Sequence, residues 1–157
     1  MQKITTFLWF DKEAAEAARF YTSVFKDAKI IDSTTLEDTP SGTVEIVTIE
    51  LLGQTFQLMN AGSLFKFNEA ISFMVNCDTQ EEIDYYWDKL SAVPEAEACG
   101  WLKDKFGVSW QIVPTVMWEM QKSKDKQKLA RLTDAFLKMK KFDIATLRQA
   151  FDEKSTS

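Results

Sequence analysis

The chain has 157 residues, of which 45% are hydrophobic and 27% charged, and its 19 lysines and arginines against 24 aspartates and glutamates give a formal net charge of −5. This is the composition of a globular protein, not of a disordered chain, and about 70% of the unfolded surface of such a chain is buried without a disulfide or structural metal. No histidine is present, which excludes Ser-His-Asp and Cys-His catalysis and zinc ligation through imidazole.

The cysteines indicate the cellular location of the protein, and the charge distribution limits the partners that it can bind. Cys77 and Cys99 form no CxxC pattern, so we expect reduced thiols and a cytoplasmic location. No apolar run approaches a membrane span and no apolar leader follows the N-terminus. Residues 1–114 carry 9 basic and 18 acidic residues, a net of −9, whereas residues 115–157 carry 10 and 6, a net of +4. Because the acidic body repels phosphate, we expect no nucleic-acid partner, and because no apolar run is long enough for a membrane span, we expect no membrane partner.

The first 60 residues predict a strand, a helix and three further strands. Residues 4–10 are rich in β-branched and aromatic side chains, as in a strand. Asp11 is a candidate N-cap for an amphipathic helix, whose apolar residues recur at helical spacing. The further strands are predicted at residues 28–36, 43–51 and 54–60.

The same order of elements begins again after residue 69. Residues 70–77 predict a strand, and Asp78 followed by Glu81 matches a capping box at the start of a helix. Strands follow near residues 97–103 and 108–113, joined by a turn.

Asp11 and Asp78 are 67 residues apart, and this shared period indicates a duplicated unit. The predicted organisation is a first module at residues 1–68, a second at 69–114 and a helical extension at 115–157, in one compact domain overall.

The extension predicts a short helix at residues 116–121, a longer amphipathic helix and a last helix that Asp143 caps. An amphipathic extension of this kind must cover either its own body or a partner subunit.

Alternation along the strands separates an apolar face from a mixed one. The apolar set is large and fits beneath packed helices; it comprises Phe7, Trp9, Phe56, Leu58, Phe73, Val75, Cys77, Trp110 and Ile112. The opposite set joins methionine and valine to neutral polar groups and comprises Thr6, Leu8, Phe10, Gln57, Met59, Ser72, Met74, Asn76, Ser109, Gln111 and Val113. An apolar cavity with a few hydrogen-bonding groups is typical of a small-molecule site. The alternative is a sheet face half open to water.

Four stretches carry a family resemblance. They are residues 7–11 (FLWFD), 19–25 (RFYTSVF), 69–73 (EAISF) and 99–114 (CGWLKDKFGVSWQIVP). Together they resemble the PhnB-like branch of the glyoxalase/bleomycin resistance/extradiol dioxygenase, or vicinal oxygen chelate, superfamily. The resemblance extends to nearly the whole chain, the tail at residues 139–144 included. It implies an α+β fold of two βαβββ modules, with mostly antiparallel sheets curled around a cup, and usually a homodimer.

Metal-dependent members of this superfamily carry four His, Gln or Glu ligands, and the resemblance places those positions near Thr6, Gln57, Ser72 and Gln111. None of the four is His, Asp or Glu. Divalent cations need charged carboxylates or imidazoles to offset dehydration, so we expect no metal, no other cofactor and no metal-dependent activity.

The resulting hypothesis is a metal-free, dimeric small-molecule binding protein whose ligand contacts Thr6, Gln57, Ser72 and Gln111. The first alternative is an enzyme of the same superfamily, of the lyase or transferase type, that uses a carboxylate such as Asp11, Glu69, Asp78 or Asp104 or a weak metal site. The second is a structural or regulatory interaction role.

The branch often carries a demethylubiquinone methyltransferase label. The five glycines form no cluster of the kind that approaches a nucleotide cofactor, so the sequence does not support that activity. The segment at residues 64–67 (LFKF) is either the rim of the site or a dimer contact.

Overall fold

The computed structural model describes residues 2–153, which divide into two compact units at the boundary between Phe67 and Asn68. Both units are α+β, and each contains one small, open, mixed sheet. The predicted fold class is therefore confirmed.

The first unit is a βαβββ module, as predicted. Its elements are β1 (Thr6–Phe10), α1 (Ala14–Val24), β2 (Lys29–Thr39), β3 (Gly42–Leu51) and β4 (Gln54–Asn60). The sheet order is β1-β4-β3-β2, with β1 parallel to β4 and the other pairs antiparallel. The buried face of α1, which includes Ala17, Ala18 and Tyr21, packs on β3 and β4.

The start of α1 differs from the sequence-based expectation. Asp11 was the expected N-cap, but α1 begins three residues later, and its first free N–H, that of Ala14, donates to Asn60 Oδ1 at 2.7 Å. A side chain from the end of β4 thus satisfies a donor that the helix itself leaves unpaired, and it ties α1 to the sheet.

The second unit begins with β5 (Ser72–Cys77) and α2 (Gln80–Leu90), followed by β6 (Trp101–Lys103) and β7 (Ser109–Pro114). Its sheet has the order β5-β7-β6, with β5 parallel to β7 and β6 antiparallel to β7.

Of the four strands expected in the second module, the one between α2 and β6 is reduced to a single bridge between Ala98 and Trp101. Cys99 and Gly100 between them both have positive φ, 52° and 83°, as in a type I′ hairpin turn. This turn divides the strand predicted at residues 97–103.

The capping box of α2 is displaced by one residue from the predicted pair of Asp78 and Glu81. The hydroxyl of Thr79 accepts from Glu82 N at 3.2 Å, and Glu82 Oε1 accepts from Asp78 N at 3.2 Å. The motif therefore acts as predicted, but on the neighbouring pair of residues.

The extension forms α3 (Thr115–Gln121), α4 (Lys126–Leu137) and α5 (Ile144–Asp152), and Asp143 caps α5 as predicted. It covers its own body, because its apolar face forms one core with the end of β7. The buried members of that core are Val113, Met117, Met120, Leu132, Phe142 and Leu147. Within residues 2–153, no helix is both long and apolar enough to cross a membrane.

Gly100 and Phe142 form a close contact between the extension and the turn before β6. A Cβ added at Gly100 would lie 2.4 Å from the Phe142 ring, and Gly100 N donates to Lys140 O at 2.8 Å. Only a residue without a side chain allows the extension to approach this turn.

We predict that Gly100→Ala destabilises the protein much more than Gly42→Ala. Both positions have nearly the same φ, 83° and 82°, but a Cβ at Gly42 meets nothing within 4 Å. The two changes share the strain of a positive φ, and Gly100→Ala adds overpacking of about 2 kcal/mol. Urea unfolding measures both free energies, and equal losses would show that the Phe142 contact is not tight.

Candidate functional site

Two of the predicted site residues, Ser72 and Gln111, lie on the same face of the second sheet. The register of β5 and β7 pairs Ser72 with Ser109 and Met74 with Gln111, so these four residues lie on one face. Gln111 Nε2 donates to Ser72 Oγ at 2.9 Å. We call the face formed by Ser72, Met74, Asn76, Ser109 and Gln111 the polar face.

Ser109 is the least satisfied residue of the polar face. Its side chain is 2% exposed, and its Oγ has no hydrogen-bond partner among residues 2–153. Leaving a buried hydroxyl unpaired costs about 1–3 kcal/mol, and such groups are rare in folded proteins. Sequence reasoning placed Ser109 on this face but did not identify it as a site residue, because alternation gives the face and not the hydrogen bonds.

The third strand of the sheet, β6, adds Trp101 and Lys103 to the polar face, because they pair with Gln111 and Ser109. Lys103 Nζ forms an ion pair with Glu69. The hydrogen bond from Lys103 lowers the pKa of the Glu69 carboxyl, and this carboxyl is exposed. Glu69 is therefore an ionised partner of Lys103 and not a proton donor near neutral pH.

The opposite end of the polar face is closed by the extension. Val113 follows Gln111 on the same face of β7 and belongs to the core with Met117 and Leu132. Next to it, Trp118 Nε1 donates to Asn76 Oδ1 at 2.8 Å. The open part of the face thus extends from Ser72 to Asn76.

The two predicted site residues of the first unit do not share a face. Thr6 pairs with Phe56, whereas Gln57 pairs with Phe7, so the predicted alternation of β1 is wrong by one residue. Large apolar side chains occupy every position from Phe7 to Phe10, which is why alternation alone could not choose between the two faces.

Gln57 makes its own local contact. Its Nε2 donates to Thr48 Oγ1 at 3.4 Å across the β3–β4 pair. This weak bond leaves the amide able to turn toward another partner, and Phe7, its neighbour on β1, is 47% exposed.

The candidate acid and base residues have structural partners or lie at the surface. Asp104 is 1% exposed, and its carboxylate accepts three hydrogen bonds: from Phe106 N at 2.9 Å, Val108 N at 3.0 Å and Trp110 Nε1 at 2.9 Å. It holds the turn before β7, as its predicted role in a turn implies. Asp78 Oδ1 accepts from Thr115 Oγ1 at 2.9 Å, and Asp11 is exposed.

The residues at the expected metal-ligand positions do not fit a divalent cation. In the first unit Phe7, and not Thr6, lies beside Gln57, so the donor there is a single amide. In the second unit the donors are the amide of Gln111 and the hydroxyl of Ser72. Neutral donors of this kind do not offset the dehydration of Zn²⁺, Fe²⁺ or Mn²⁺. Residues 2–153 also contain no group of three His, Cys, Asp or Glu that could hold a metal ion.

Comparisons with known proteins agree with this architecture. Among solved structures, the chain is 16% identical to the genomically encoded fosfomycin resistance protein FosX from Listeria monocytogenes, with a TM-score of 0.53 over 78% of this chain and 98% of that chain. Protein PA1353 from Pseudomonas aeruginosa is 19% identical, with a TM-score of 0.52 over 73% and 98% of the two chains. At these identities the likeness concerns the fold alone.

A family model described as 3-demethylubiquinone-9 3-methyltransferase matches residues 2–113. The PhnB protein from Bacillus cereus is 36% identical, with a TM-score of 0.60, and the match covers 73% of this chain and all of that chain. The chain therefore belongs to this PhnB-like family. The family model ends at residue 113, so it does not extend to the tail at residues 139–144. A search of curated protein sequences found no match.

The two thiols differ in environment. Cys77, at the end of β5, is fully buried, and burial, with smaller contributions from Glu82 and Asp78, raises its pKa to about 12. Cys99 lies in the turn before β6 and is partly exposed.

We predict that a thiol reagent modifies one cysteine of the native protein rapidly at mildly alkaline pH, and both after unfolding in guanidinium chloride. Cys77 remains a buried thiol, whereas only the thiolate is nucleophilic. Absorbance of the released thiol reports the count, and Cys99→Ser should abolish the rapid phase. A rapid phase that survives Cys99→Ser would contradict the burial of Cys77.

Proposed function

We propose that this protein binds a small molecule without a metal, on the polar face of its second unit. The observation that carries the proposal is the buried, unpartnered hydroxyl of Ser109 beside the hydrogen-bonded pair of Gln111 and Ser72. A ligand that displaces the side chains covering Ser109 and forms a hydrogen bond with its Oγ removes the cost of that orphaned group. The neutral donor set described above supports binding without a metal.

The groups on the polar face indicate the chemistry of the ligand. Gln111 Nε2 already donates to Ser72, while Gln111 Oε1 has no protein partner within residues 2–153 and remains an acceptor. The hydroxyls of Ser72 and Ser109 each have a proton to donate. A neutral group with an adjacent donor and acceptor, such as an amide, matches this arrangement.

The alternative is an enzyme of the same superfamily, and the Glu69–Lys103 pair is the charged group nearest the polar face in the strand register. The family name refers to methyl transfer. Nothing in the chain supports that activity here, because its glycines, at positions 42, 53, 62, 100 and 107, are too dispersed to form a loop around a nucleotide cofactor.

We predict opposite effects of Ser109→Ala on stability and on binding. Without ligand, the variant should be more stable than wild type by about 1 kcal/mol, because it removes an unpaired buried hydroxyl. Its affinity for a small neutral amide found by a thermal-shift screen should fall about ten-fold. Gln111→Leu should abolish the shift, whereas Gln54→Leu, at an exposed position of β4, should leave it unchanged.

Urea unfolding and calorimetric titration measure the two effects. Loss of stability in unliganded Ser109→Ala would show that the hydroxyl has a partner in the protein, and a screen without any stabilising compound would favour the interaction-protein alternative. Binding that survives Gln111→Leu would overturn the site.

Assembly as a homodimer and a cytoplasmic location also belong to the proposal. Trp9 holds the segment after β4 by donating from Nε1 to Gly62 O at 2.8 Å, and its ring meets that of Phe65 edge-on at 5.0 Å. Leu64 and Phe65 nevertheless remain 76% and 60% exposed, and in a two-fold symmetric dimer the same apolar segment of a second copy would cover them. Phe67 instead packs on the ring of Phe10. Two free thiols are compatible with the cytoplasm.

We predict that wild type sediments as a dimer and that Phe65→Asp sediments as a monomer, because the new charge would be buried without a partner. Leu52→Asp, which changes a leucine that is 55% exposed in the same unit, should remain dimeric. Analytical ultracentrifugation distinguishes the states; a monomeric wild type or a dimeric Phe65→Asp would contradict the proposal.

A further inference from the structure

The helical extension lies beyond the part of the chain that the family model matches, which ends at residue 113. Its position on the second unit is fixed by both packing and hydrogen bonds. Gln80 of α2 illustrates this: its Oε1 accepts from Ile144 N at 2.8 Å, and its Nε2 donates to Phe142 O at 3.0 Å. Lys141 adds an ion pair with Asp84 at 2.8 Å, and this contact lowers the pKa of Asp84.

This anchoring determines where α3 lies. Met117 and Met120 are buried in the core with Val113, and Trp118, between them in sequence, is 42% exposed. Its indole is held by the bond from Nε1 to Asn76 Oδ1. An exposed tryptophan with a fixed orientation is thus placed at the edge of the polar face by a segment outside the matched family region.

Trp118 and Met74 together make one end of the polar face apolar. Met74 is 39% exposed and lies between Ser72 and Asn76 on the same side of β5. At the strand rise, Ser72 and Asn76 are roughly 13 Å apart. A ligand of about that length would contact Ser72 and Gln111 with a polar group and the indole with its other end.

We propose that Trp118 is a specificity-determining residue, the stacking platform for the planar aromatic part of the ligand. This inference rests on the proposed function and names its ligand class: a neutral hydrogen-bonding group joined to a fused aromatic ring. The indole offers a π-face, which favours flat rings over saturated ones of the same size. The groups beneath the polar end are a neutral amide and hydroxyls, and Glu69 balances the charge of Lys103 beside them, so the ligand needs no charge.

The test compares two probes that differ only in aromaticity, naphthalene-2-carboxamide and its fully saturated decahydronaphthalene counterpart. Wild type should bind the aromatic amide about five- to ten-fold more tightly, and Trp118→Leu should reduce that ratio to about one. Trp118→Phe should retain most of the preference. Tyr85→Leu is the control, because Tyr85 is an aromatic residue of the same unit with nearly the same exposure, 41%.

The ratio of the two affinities distinguishes ligand recognition by Trp118 from a structural role, since a variant that only loosened α3 would lower the affinity for both probes equally. Equal binding of the two probes by wild type, or a preference that survives Trp118→Leu, would overturn the role of Trp118 while leaving the proposed function intact. If neither bicyclic amide binds wild type while a smaller neutral amide from the thermal-shift screen does, the inference fails and the proposed function stands; if no neutral amide binds, both fail. Trp118-dependent binding of tetraethylammonium without binding of either amide would show a cation site and overturn the neutral ligand class.

Discussion

The parallel pairing of β5 with β7 is the constraint on which the candidate site depends. It joins the first and last strands of the second unit across the intervening helix and β6, and its register places Ser72 beside Ser109 and Met74 beside Gln111. A shift of one residue would turn Gln111 and Ser109 to the opposite face. The apolar residues Phe73, Val75, Trp110 and Ile112, which alternate with the polar ones, resist such a shift because burial of Val75, Trp110 and Ile112 favours the observed register.

The extension depends on the same strands. Val113 at the end of β7 belongs to its core, and the turn at Gly100 that precedes β6 accommodates Phe142. Buried Asp104 fixes the start of β7 from the other side through three N–H donors. The position of Trp118 at Asn76 is therefore a consequence of how β7 is held at both ends, and the site is built from the sheet and the extension together.

Most elements could be predicted from the sequence because their patterns are strong. The alternation in β5 and β7 and the helical spacing in α1 and α2 reflect the burial of one face of each element, and each segment's own sequence shows this pattern. β1 was different: with four large apolar residues in succession, only its pairing with β4 decides which of them are buried. The number of strands in the second module was predicted too high, because a turn at Cys99 and Gly100 replaces part of a strand. That turn needs a positive φ at Cys99, which no sequence pattern indicates for a non-glycine residue.

The candidate site was only partly predictable for a related reason. That Ser72 and Gln111 share a face follows from alternation, and the structure adds the hydrogen bond between them. The orphaned hydroxyl of Ser109 and the bond from Trp118 to Asn76 depend on which atoms meet in three dimensions, and neither has a local sequence signal. The amphipathic pattern of the extension likewise showed an apolar face but not the surface that it covers.

We propose that the polar face holds a ligand at Ser109 without a metal. The decisive measurement is a high-resolution crystal structure of the protein, purified without chelator and without added compounds and then soaked with the amide that stabilises it most. Density for the amide is expected, with one of its polar atoms within hydrogen-bond distance of Ser109 Oγ and another at Gln111, and without metal density at Gln111. A hydroxyl of Ser109 bonded to a protein group, with the amide bound elsewhere, or a metal ion held by Gln111, would contradict the proposal.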